Sequence, residues 1–424
     1  MTSAPGGELT ESPQRLWGAH FIQAGTGVLV LLSHLAQRAA PDSILSTGGI
    51  IAVLSNATGF GVAMLMVLSG FLQARPYWGA LNSGDPLPAP LSYALDRAAR
   101  IIPAFWLALT VSFIAGLTIF GVVADGGTWL RYMAGLLLVA PWHWSTLYPV
   151  DVNAPLWLIG FLAMSHALLA VGFWSIKAIT RRRGPGHDAR VLWVAVIASA
   201  LVAHWLFVSL VGADPRQFGN APAIQVSVRS LAPWFNPFSF FAMFAIGVLA
   251  AGVRVQMGRK RGFRYDLIAL LAIAAALVMI WNTGGRPNQG VYGWLQVPFE
   301  FPVFHLLIGV ILVVMPSTYA LGRFLDARPI QFFSRIALGI YLWHYLVLEI
   351  VHFYWAPDFA LGGVTDPARY FAYCAVVILI TVFIATLSRH YLEQPAVDWA
   401  LRREERNRLL AGLREPSSAR QSTS

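Results

Sequence analysis

The chain has 424 residues, of which 57% are hydrophobic and only 12% are charged, and its mean hydropathy is +0.61. Soluble domains carry about 25% charged residues, so this composition excludes a soluble globular protein and indicates a polytopic membrane protein. The formal net charge of +10 is typical of cytosolic loops beside anionic lipid, so it does not indicate a nucleic-acid partner. The single cysteine, Cys374, excludes an internal disulfide.

The first apolar stretch, 17–37, follows a polar segment, 1–14, that we expect to be disordered and cytosolic. The stretch is long enough to span a bilayer, so we interpret it as a retained helix and not as a cleaved signal peptide. His34 lies inside it, between Ser33 and Leu35 in a leucine-rich segment. A titratable side chain there usually faces a bundle interior or a wet cavity, where it serves catalysis or transport. The alternative is that His34 lies near the helix end and reaches the interface.

Nine further apolar runs of spanning length follow, which predicts an all-α integral membrane protein with about ten transmembrane helices. The runs lie at 50–73, 101–122, 155–177, 190–212, 237–253, 265–283, 298–316, 336–354 and 368–388. A shorter run, Tyr132–Pro141, precedes a Trp/His-rich segment and is too short to cross. We interpret this run as a re-entrant or interfacial segment on the outer side.

The distribution of positive charge predicts the orientation of the chain. Most of the 30 Lys and Arg residues fall in segments that are cytosolic if the N-terminus is inside. Ten spans then place both termini in the cytosol, which fits a multi-pass protein of the cell inner (plasma) membrane. We see no tandem repeat, so we expect one transmembrane domain, 15–400, and a basic tail, 401–424, that starts as a short amphipathic helix and ends disordered.

Two polar clusters lie in the first third of the chain. The segment 59–72 contains several small residues beside Ser69, and these favour close helix packing over any chemical role. Arg97 and Arg100 stand at the start of the third span, three residues apart and so on one helical face. Their guanidinium groups suit the phosphates of a nucleotide-bearing donor. The alternative is ordinary retention of positive charge on the cytosolic side.

Three more clusters lie further along. Asn153 and Trp157 open the fourth span on the outer side, although such a tryptophan also serves as an interfacial anchor. The ninth span contains Tyr341-Leu342-Trp343-His344, which indicates a polar lining or, alternatively, aromatic anchors. Glu393 follows the last span and is otherwise explained as a helix-end cap.

The order and spacing of these elements resemble the acyltransferase 3 family of polytopic membrane acyltransferases. The resemblance covers about residues 15–400, and its elements are a histidine in the first span, a serine-glycine-phenylalanine, an arginine pair, a proline-leucine-tryptophan, a tyrosine-leucine-tryptophan-histidine and a terminal glutamate. They correspond here to His34, Ser69-Gly70-Phe71, Arg97 and Arg100, Pro155-Leu156-Trp157, Tyr341-Leu342-Trp343-His344 and Glu393-Gln394-Pro395.

The chain departs from the family pattern at four positions. Gln23 stands where the family has an arginine, His20 where it has an aspartate, Leu162 where a glutamate is expected, and Gln394 where the pattern ends in arginine. On an ideal helix His20, Gln23 and His34 share one face, and His34 lies about 16 to 21 Å along the axis from the other two. A polar stripe facing the bundle is therefore predicted even though its charges have changed.

The resemblance implies an integral membrane O-acyltransferase. It would move an acyl group, with acetyl favoured, from acyl-CoA to a hydroxyl of a glycan, glycolipid or small hydroxylated product. The co-substrate is acyl-CoA, and no bound cofactor or metal is expected. His34 is then the general base, and Arg97 and Arg100 bind the donor. The residues expected to line the acceptor path or support the site are Gln23, Ser69, Asn153, Trp157, Tyr341, Trp343, His344 and Glu393.

An alternative from another class is a non-catalytic carrier or export component for a lipid-linked or polysaccharide intermediate. A bundle of helices with buried polar residues suits a transporter as well as an enzyme, and the lost charges fit a relative that no longer catalyses. Internal inverted repeats would favour transport, and none is visible in the sequence.

Overall fold

The computed structural model describes residues 17–40, 45–46, 48–180, 187–211, 233–258, 260–285, 297–355 and 366–414. Every regular element in these ranges is helical. The tail begins as a helix, as the sequence predicted. Segment 1–14 and residues 415–424, where we expected disorder, lie outside the described residues.

The α-helices are numbered in chain order. They are α1 (Trp17–Ala39), α2 (Ile50–Asn56), α3 (Thr58–Ser83), α4 (Pro90–Thr118), α5 (Gly126–Leu136), α6 (Trp157–Thr180), α7 (His187–Val211), α8 (Pro237–Met257), α9 (Phe263–Asn282), α10 (Val303–Val314), α11 (Leu321–Phe324), α12 (Arg328–Trp355), α13 (Pro367–Ser388) and α14 (Gln394–Arg414). A 3-10 segment, Asp151–Leu156, precedes α6, and a π-helical turn, Arg389–Glu393, joins α13 to α14.

Nine helices within the described residues are long and apolar enough to cross a membrane. The remaining predicted run, 298–316, is a shorter apolar helix at Val303–Ser317. The helix starts late because Phe299 and Glu300 have φ angles of 64° and 57°, which are incompatible with a right-handed helix. The count of about ten therefore includes one helix that is shorter than the run of apolar residues suggested.

The run 132–141 is too short to cross a membrane, as predicted. It is covered by the end of α5, a helix of 11 residues, and by a 3-10 turn at Ala140–Trp142, so neither part is long enough to cross. Asp125 caps α5 by accepting a hydrogen bond of 2.7 Å from the backbone N–H of Thr128. This hydrogen bond lowers the pKa of the Asp125 carboxyl below its ordinary value.

Helices α1 and α12 lie side by side and run in the same direction. Polar contacts join Gln23 to Ser334 and His34 to His344, and the two pairs are separated by 311 and 310 residues along the chain. A nearly constant separation requires parallel helices, since it would change at every step between antiparallel ones. Gly27 permits the close approach, because a Cβ atom there would lie 3.3 Å from that of Ala337. We call this contact the seam.

Helices α3 and α8 cross with their backbones in contact. A Cβ atom built on Gly70 would lie 2.0 Å from the carbonyl oxygen of Phe244, and one on Gly247 would lie 1.9 Å from that of Val67. Only glycine fits at both positions. The prediction of close helix packing in 59–72 is therefore confirmed at Gly70. The crossing holds α3 so that Ser69 lines a cavity beside the seam.

Candidate active site

A cavity of about 290 Å³ lies between α1, α3, α4, α6, α12 and the π-helical turn. We call it the chamber. Its polar lining comes from five of these elements, and half of the polar residues are charged. The polar lining residues are Gln23, Thr26, Ser69, Gln73, Arg97, Arg100, Arg335, Tyr341, Arg389 and Glu393.

The chamber is rich in arginine. Arg97 and Arg100 both line it, as their spacing on one face of α4 predicted, and Arg335 of α12 and Arg389 of the π-helical turn join them. Among the described lining residues the one carboxylate is that of Glu393, 3.7 Å from Arg389. Positive charge is therefore in excess, which is the environment that phosphate groups bind.

Arg100 has an unpaired hydrogen-bond donor within the described part of the chain. Its Nε atom is buried, and among the described residues it has no hydrogen-bond partner. A buried donor left unpaired costs free energy, and a bound phosphate or carboxylate would remove that cost. Neither Arg335 nor Arg389 was predicted to belong to this group, because both resemble ordinary positive charges at the ends of membrane helices.

Glu393 and Leu162 both line the chamber, at two positions where the family pattern has a glutamate. Glu393 is buried, and its carboxylate accepts a hydrogen bond of 3.4 Å from the Ser388 hydroxyl. Such π-helical turns are frequently found at functional sites, since they change the direction in which side chains point. Leu162 lines the same cavity. The chamber therefore keeps the terminal glutamate of the family pattern, whereas leucine replaces the glutamate expected at position 162.

Ser69 contacts a histidine that sequence analysis did not assign. The Ser69 hydroxyl lies 3.3 Å from Nε2 of His166 on α6, and His166 is buried. Ser69 faces the chamber. The small-residue pattern around Ser69 explained packing only, and no signal in the sequence pointed to its partner, which lies 97 residues away.

Two buried histidines meet across the seam. Nδ1 of His34 lies 2.9 Å from Nε2 of His344, and their rings are stacked with centroids 5.0 Å apart. The ring of Tyr345 packs edge-on against His34, with centroids also 5.0 Å apart. His34 is only 8% exposed and His344 is not exposed at all. The alternative in which His34 reaches the interface is therefore wrong.

The hydrogen bonds of His344 determine which nitrogen of each ring carries a proton. Nδ1 of His344 lies 2.9 Å from the carbonyl oxygen of Ile340 and 3.0 Å from that of Tyr341. Carbonyl oxygens only accept, so Nδ1 must donate, and Nε2 of the neutral ring must accept. The donor to that acceptor is Nδ1–H of His34. Nε2 of His34 is then unprotonated, which is the form that a general base requires.

The histidine pair lies beyond one end of the chamber. Gly27 and Tyr341 line the chamber, and the ring centroid of Tyr341 is 6.2 Å from that of His344. His34 follows Gly27 by seven residues, or about 10 Å along α1. The Tyr341 hydroxyl donates a hydrogen bond to the carbonyl oxygen of Pro155. Tyr341 thus stands between the arginine-lined chamber and the histidine pair.

Asn153 attaches the 3-10 segment to two helices next to Tyr341. Its Nδ2 donates hydrogen bonds of 3.0 Å to the hydroxyl of Ser112 on α4 and to the carbonyl oxygen of Leu342 on α12. Asn153 is completely buried. Asn153 therefore fixes the 3-10 segment relative to α4 and α12, next to the site.

Among the predicted supporting residues, Trp157 and Trp343 neither line the chamber nor belong to the histidine pair. Trp157 packs against the rings of Phe161 and Phe240, with centroids 5.6 and 5.4 Å away. Trp343 is buried in the hydrophobic core. It follows Leu342 and precedes His344, and successive residues of a helix point in different directions. Both tryptophans therefore serve packing, and the prediction that they line the acceptor path gains no support.

The polar stripe predicted on α1 faces α12 throughout. Nδ1 of His20 lies 2.7 Å from Asp326, just before α12, and Gln23 accepts a hydrogen bond of 3.1 Å from Ser334. At the other end Arg38 donates two hydrogen bonds to Glu349, of 3.0 and 2.9 Å. Arg38 was not among the residues singled out from the sequence. Its position one turn after His34 was a usable signal.

Comparison with family models links this geometry to a known class. A model described as an acyltransferase domain matches residues 21–386, the bulk of the chain. The match includes the histidine pair and three of the four chamber arginines, while Arg389 and Glu393 lie just beyond it. Comparison with curated proteins and with solved structures gives no match.

Proposed function

The chain belongs to the acyltransferase 3 family and is a membrane acyltransferase that transfers groups other than amino-acyl groups; from that premise we propose that it acylates a hydroxyl of a glycan, glycolipid or small hydroxylated product with acyl-CoA as donor. The observation that carries the proposal is the histidine pair, with a free base nitrogen on His34, beyond the end of an arginine-lined chamber. The family match favours this enzyme over the carrier alternative.

The donor phosphates bind at the chamber arginines. Coenzyme A carries a pyrophosphate and a ribose phosphate, and guanidinium groups bind such oxygens with paired, charge-assisted hydrogen bonds. Arg97, Arg100, Arg335 and Arg389 supply four such groups in one cavity. Because acyl-CoA is made in the cytosol, this assignment also places the chamber at the cytosolic face of the inner membrane, with both termini on that side.

His34 acts as the general base. Its Nε2 accepts the proton of the acceptor hydroxyl while the hydroxyl oxygen attacks the thioester carbonyl carbon. The carbon–sulfur bond then breaks, an ester forms, and the thiolate of coenzyme A recovers the proton. In this scheme the thioester lies beside Tyr341, at the end of the chamber next to the histidine pair.

His344 positions the base and shares its charge. Nδ1–H of His34 points at Nε2 of His344, so a proton gained at Nε2 of His34 allows the Nδ1 proton to shift to His344. The resulting imidazolium is stabilised by the carbonyl oxygens of Ile340 and Tyr341, which face its Nδ1–H. The pair thereby takes over the orienting task that a carboxylate performs in serine–histidine–aspartate triads.

Replacement of His34 tests the mechanism. Membranes that contain His34→Ala should transfer radiolabelled acyl groups from acyl-CoA to base-labile esters at least about 100-fold more slowly than wild-type membranes, because general-base catalysis contributes that much. His390→Ala is the matched control, since His390 is an exposed histidine outside the pair. Normal amounts of inserted protein must be verified for both variants. Full transfer activity of His34→Ala would exclude His34 as the base.

A further inference from the structure

A second cavity, of about 740 Å³, runs along the outside of the chamber between α4 and α6. We call it the groove. Its walls are almost entirely apolar, and small side chains make room for it: Ala94 and Ala98 on α4 and Ala163 and Ala167 on α6. Trp174 lines it nearer the C-terminal end of α6. Its volume is within the range of about 300–1,000 Å³ that is typical of ligand sites.

The groove and the chamber share a wall. Arg97, Ile101 and Ile159 line both cavities. The partition also contains the contact between Ser69, which faces the chamber, and His166, which faces the groove. A ligand whose anionic part binds the chamber arginines can therefore extend an apolar part past Ile101 into the groove without leaving the protein.

The length of the groove limits what that apolar part is. From Ile101 to Pro90, both of which line it, α4 rises about 16 Å at 1.5 Å per residue. An extended chain advances about 1.2 Å per bond, a third of the distance that three backbone bonds cover. The groove therefore accommodates a chain of about 13 carbons. An acetyl group, with two carbons, would leave nearly all of it empty.

We propose that the groove binds the acyl chain of a medium- or long-chain acyl-CoA, of about eight carbons or more. The proposal rests on the proposed function for the identity of the donor, and it replaces acetyl, which the sequence resemblance favoured. The apolar walls exclude the polar parts of coenzyme A, since unpaired polar groups there would be costly. The chamber arginines, of which Arg97 is at the shared wall, hold the anionic end of the same molecule.

Binding of acyl-CoAs of increasing length to the purified full-length protein in lipid nanodiscs tests this. Octanoyl-CoA should bind at least about tenfold more tightly than acetyl-CoA, since each methylene withdrawn from water favours binding roughly fourfold. Ala167→Trp fills the groove and should bring the ratio of the two affinities close to one. Ala198→Trp is the control, because Ala198 is an exposed alanine of α7 outside the groove, and it should keep the wild-type ratio.

A second measurement locates the chain directly. Dodecanoyl-CoA brominated near its end should quench the fluorescence of Trp174, which is measured as the difference between wild type and Trp174→Phe. Equal affinities for all chain lengths in the wild type would overturn the proposal. So would quenching of Trp174 by brominated phospholipid that added dodecanoyl-CoA does not relieve, since the groove would then hold bilayer lipid.

The two proposals fail in different ways. Acyl transfer without any dependence of binding on chain length would overturn the groove assignment and leave the acyltransferase mechanism standing. Length-dependent binding and Trp174 quenching without transfer of any acyl group would confirm the groove as an acyl-chain site and overturn the proposed function.

Discussion

The two ends of the seam differ in how their polar groups are satisfied. At the histidine end two pairs are formed within the protein: His34 meets His344, and Arg38 meets Glu349 through two hydrogen bonds. At the chamber end four arginines face a cavity in which Glu393 is the one carboxylate among the described lining residues. The first end therefore pairs its imidazoles and its charges within the protein, whereas the other has an excess of positive charge.

This difference separates the two tasks of an acyltransferase. A base must be held in one tautomer before the substrate arrives, so its partners must belong to the protein. A donor site must instead leave its charges available, because the ligand supplies the opposite charge. Like charges collected in a cavity repel one another, so we expect bound coenzyme A to stabilise the chamber end more than the histidine end.

Breaking the histidine pair should have the largest effect. His344→Phe removes the acceptor for Nδ1–H of His34 and should lower kcat about 100-fold, because the base then loses its fixed tautomer. His344→Gln keeps an acceptor oxygen near the position of Nε2, and it should recover at least about tenfold of that loss. Both values come from initial transfer rates at saturating acyl-CoA.

A matched control separates orientation from burial. His305 is also completely buried but lies on α10 and outside the seam, so His305→Gln tests the loss of a buried imidazole as such. Equal activity of His344→Phe and His344→Gln, at any level, would show that the acceptor atom of His344 does not matter. In that case His344 would not preorganise His34 for catalysis.

Removing one chamber arginine should have a smaller effect than breaking the histidine pair. It should change the KM for acyl-CoA and leave kcat nearly unchanged. Arg100→Ala should raise the KM for acyl-CoA about tenfold, the size expected for a lost charge-assisted hydrogen bond, with kcat changed little. Arg100→Lys should restore part of the affinity, since charge remains but the paired geometry does not. Arg328→Ala is the control, because Arg328 is exposed at the start of α12 and does not line the chamber.

The same variants distinguish enzyme from carrier by direct binding of coenzyme A. Affinity should fall in parallel for Arg97→Ala and Arg100→Ala and should decrease with added salt, as expected for contacts between phosphates and arginines. Unchanged coenzyme A affinity in both variants would place the donor elsewhere and remove the contrast between the two ends.

The sequence predicted what helical periodicity can determine. The spacing of Gln23 and His34, and that of Arg97 and Arg100, placed each pair on one face, and the structure confirms both. Periodicity does not show which distant helix lies opposite that face. The partner of His34 is 310 residues away, and only the parallel packing of α1 on α12 reveals that His344 meets it at Nδ1.

The rest of the site depended on local backbone geometry that composition does not encode. Arg389 and Glu393 enter the chamber from a π-helical turn, where the usual spacing of side chains changes. The groove arises because alanines of α4 and α6 face each other. In the sequence those alanines are indistinguishable from the many others of a membrane helix.

The smallest effect is expected at the ion pair that closes the histidine end. Arg38→Gln or Glu349→Gln alone leaves a partly buried charge without its partner and should lower the free energy of unfolding by about 1–3 kcal/mol. The double variant should be less destabilised than the sum of the two, with a coupling of about 1 kcal/mol. The measurement is denaturation of the detergent-solubilised protein, and transfer should change by less than about tenfold.

Additive losses would mean that Arg38 and Glu349 do not act as a pair. A loss of transfer as large as that of His344→Phe would mean that the ion pair belongs to the reacting groups, and the histidine end would then extend one helical turn further.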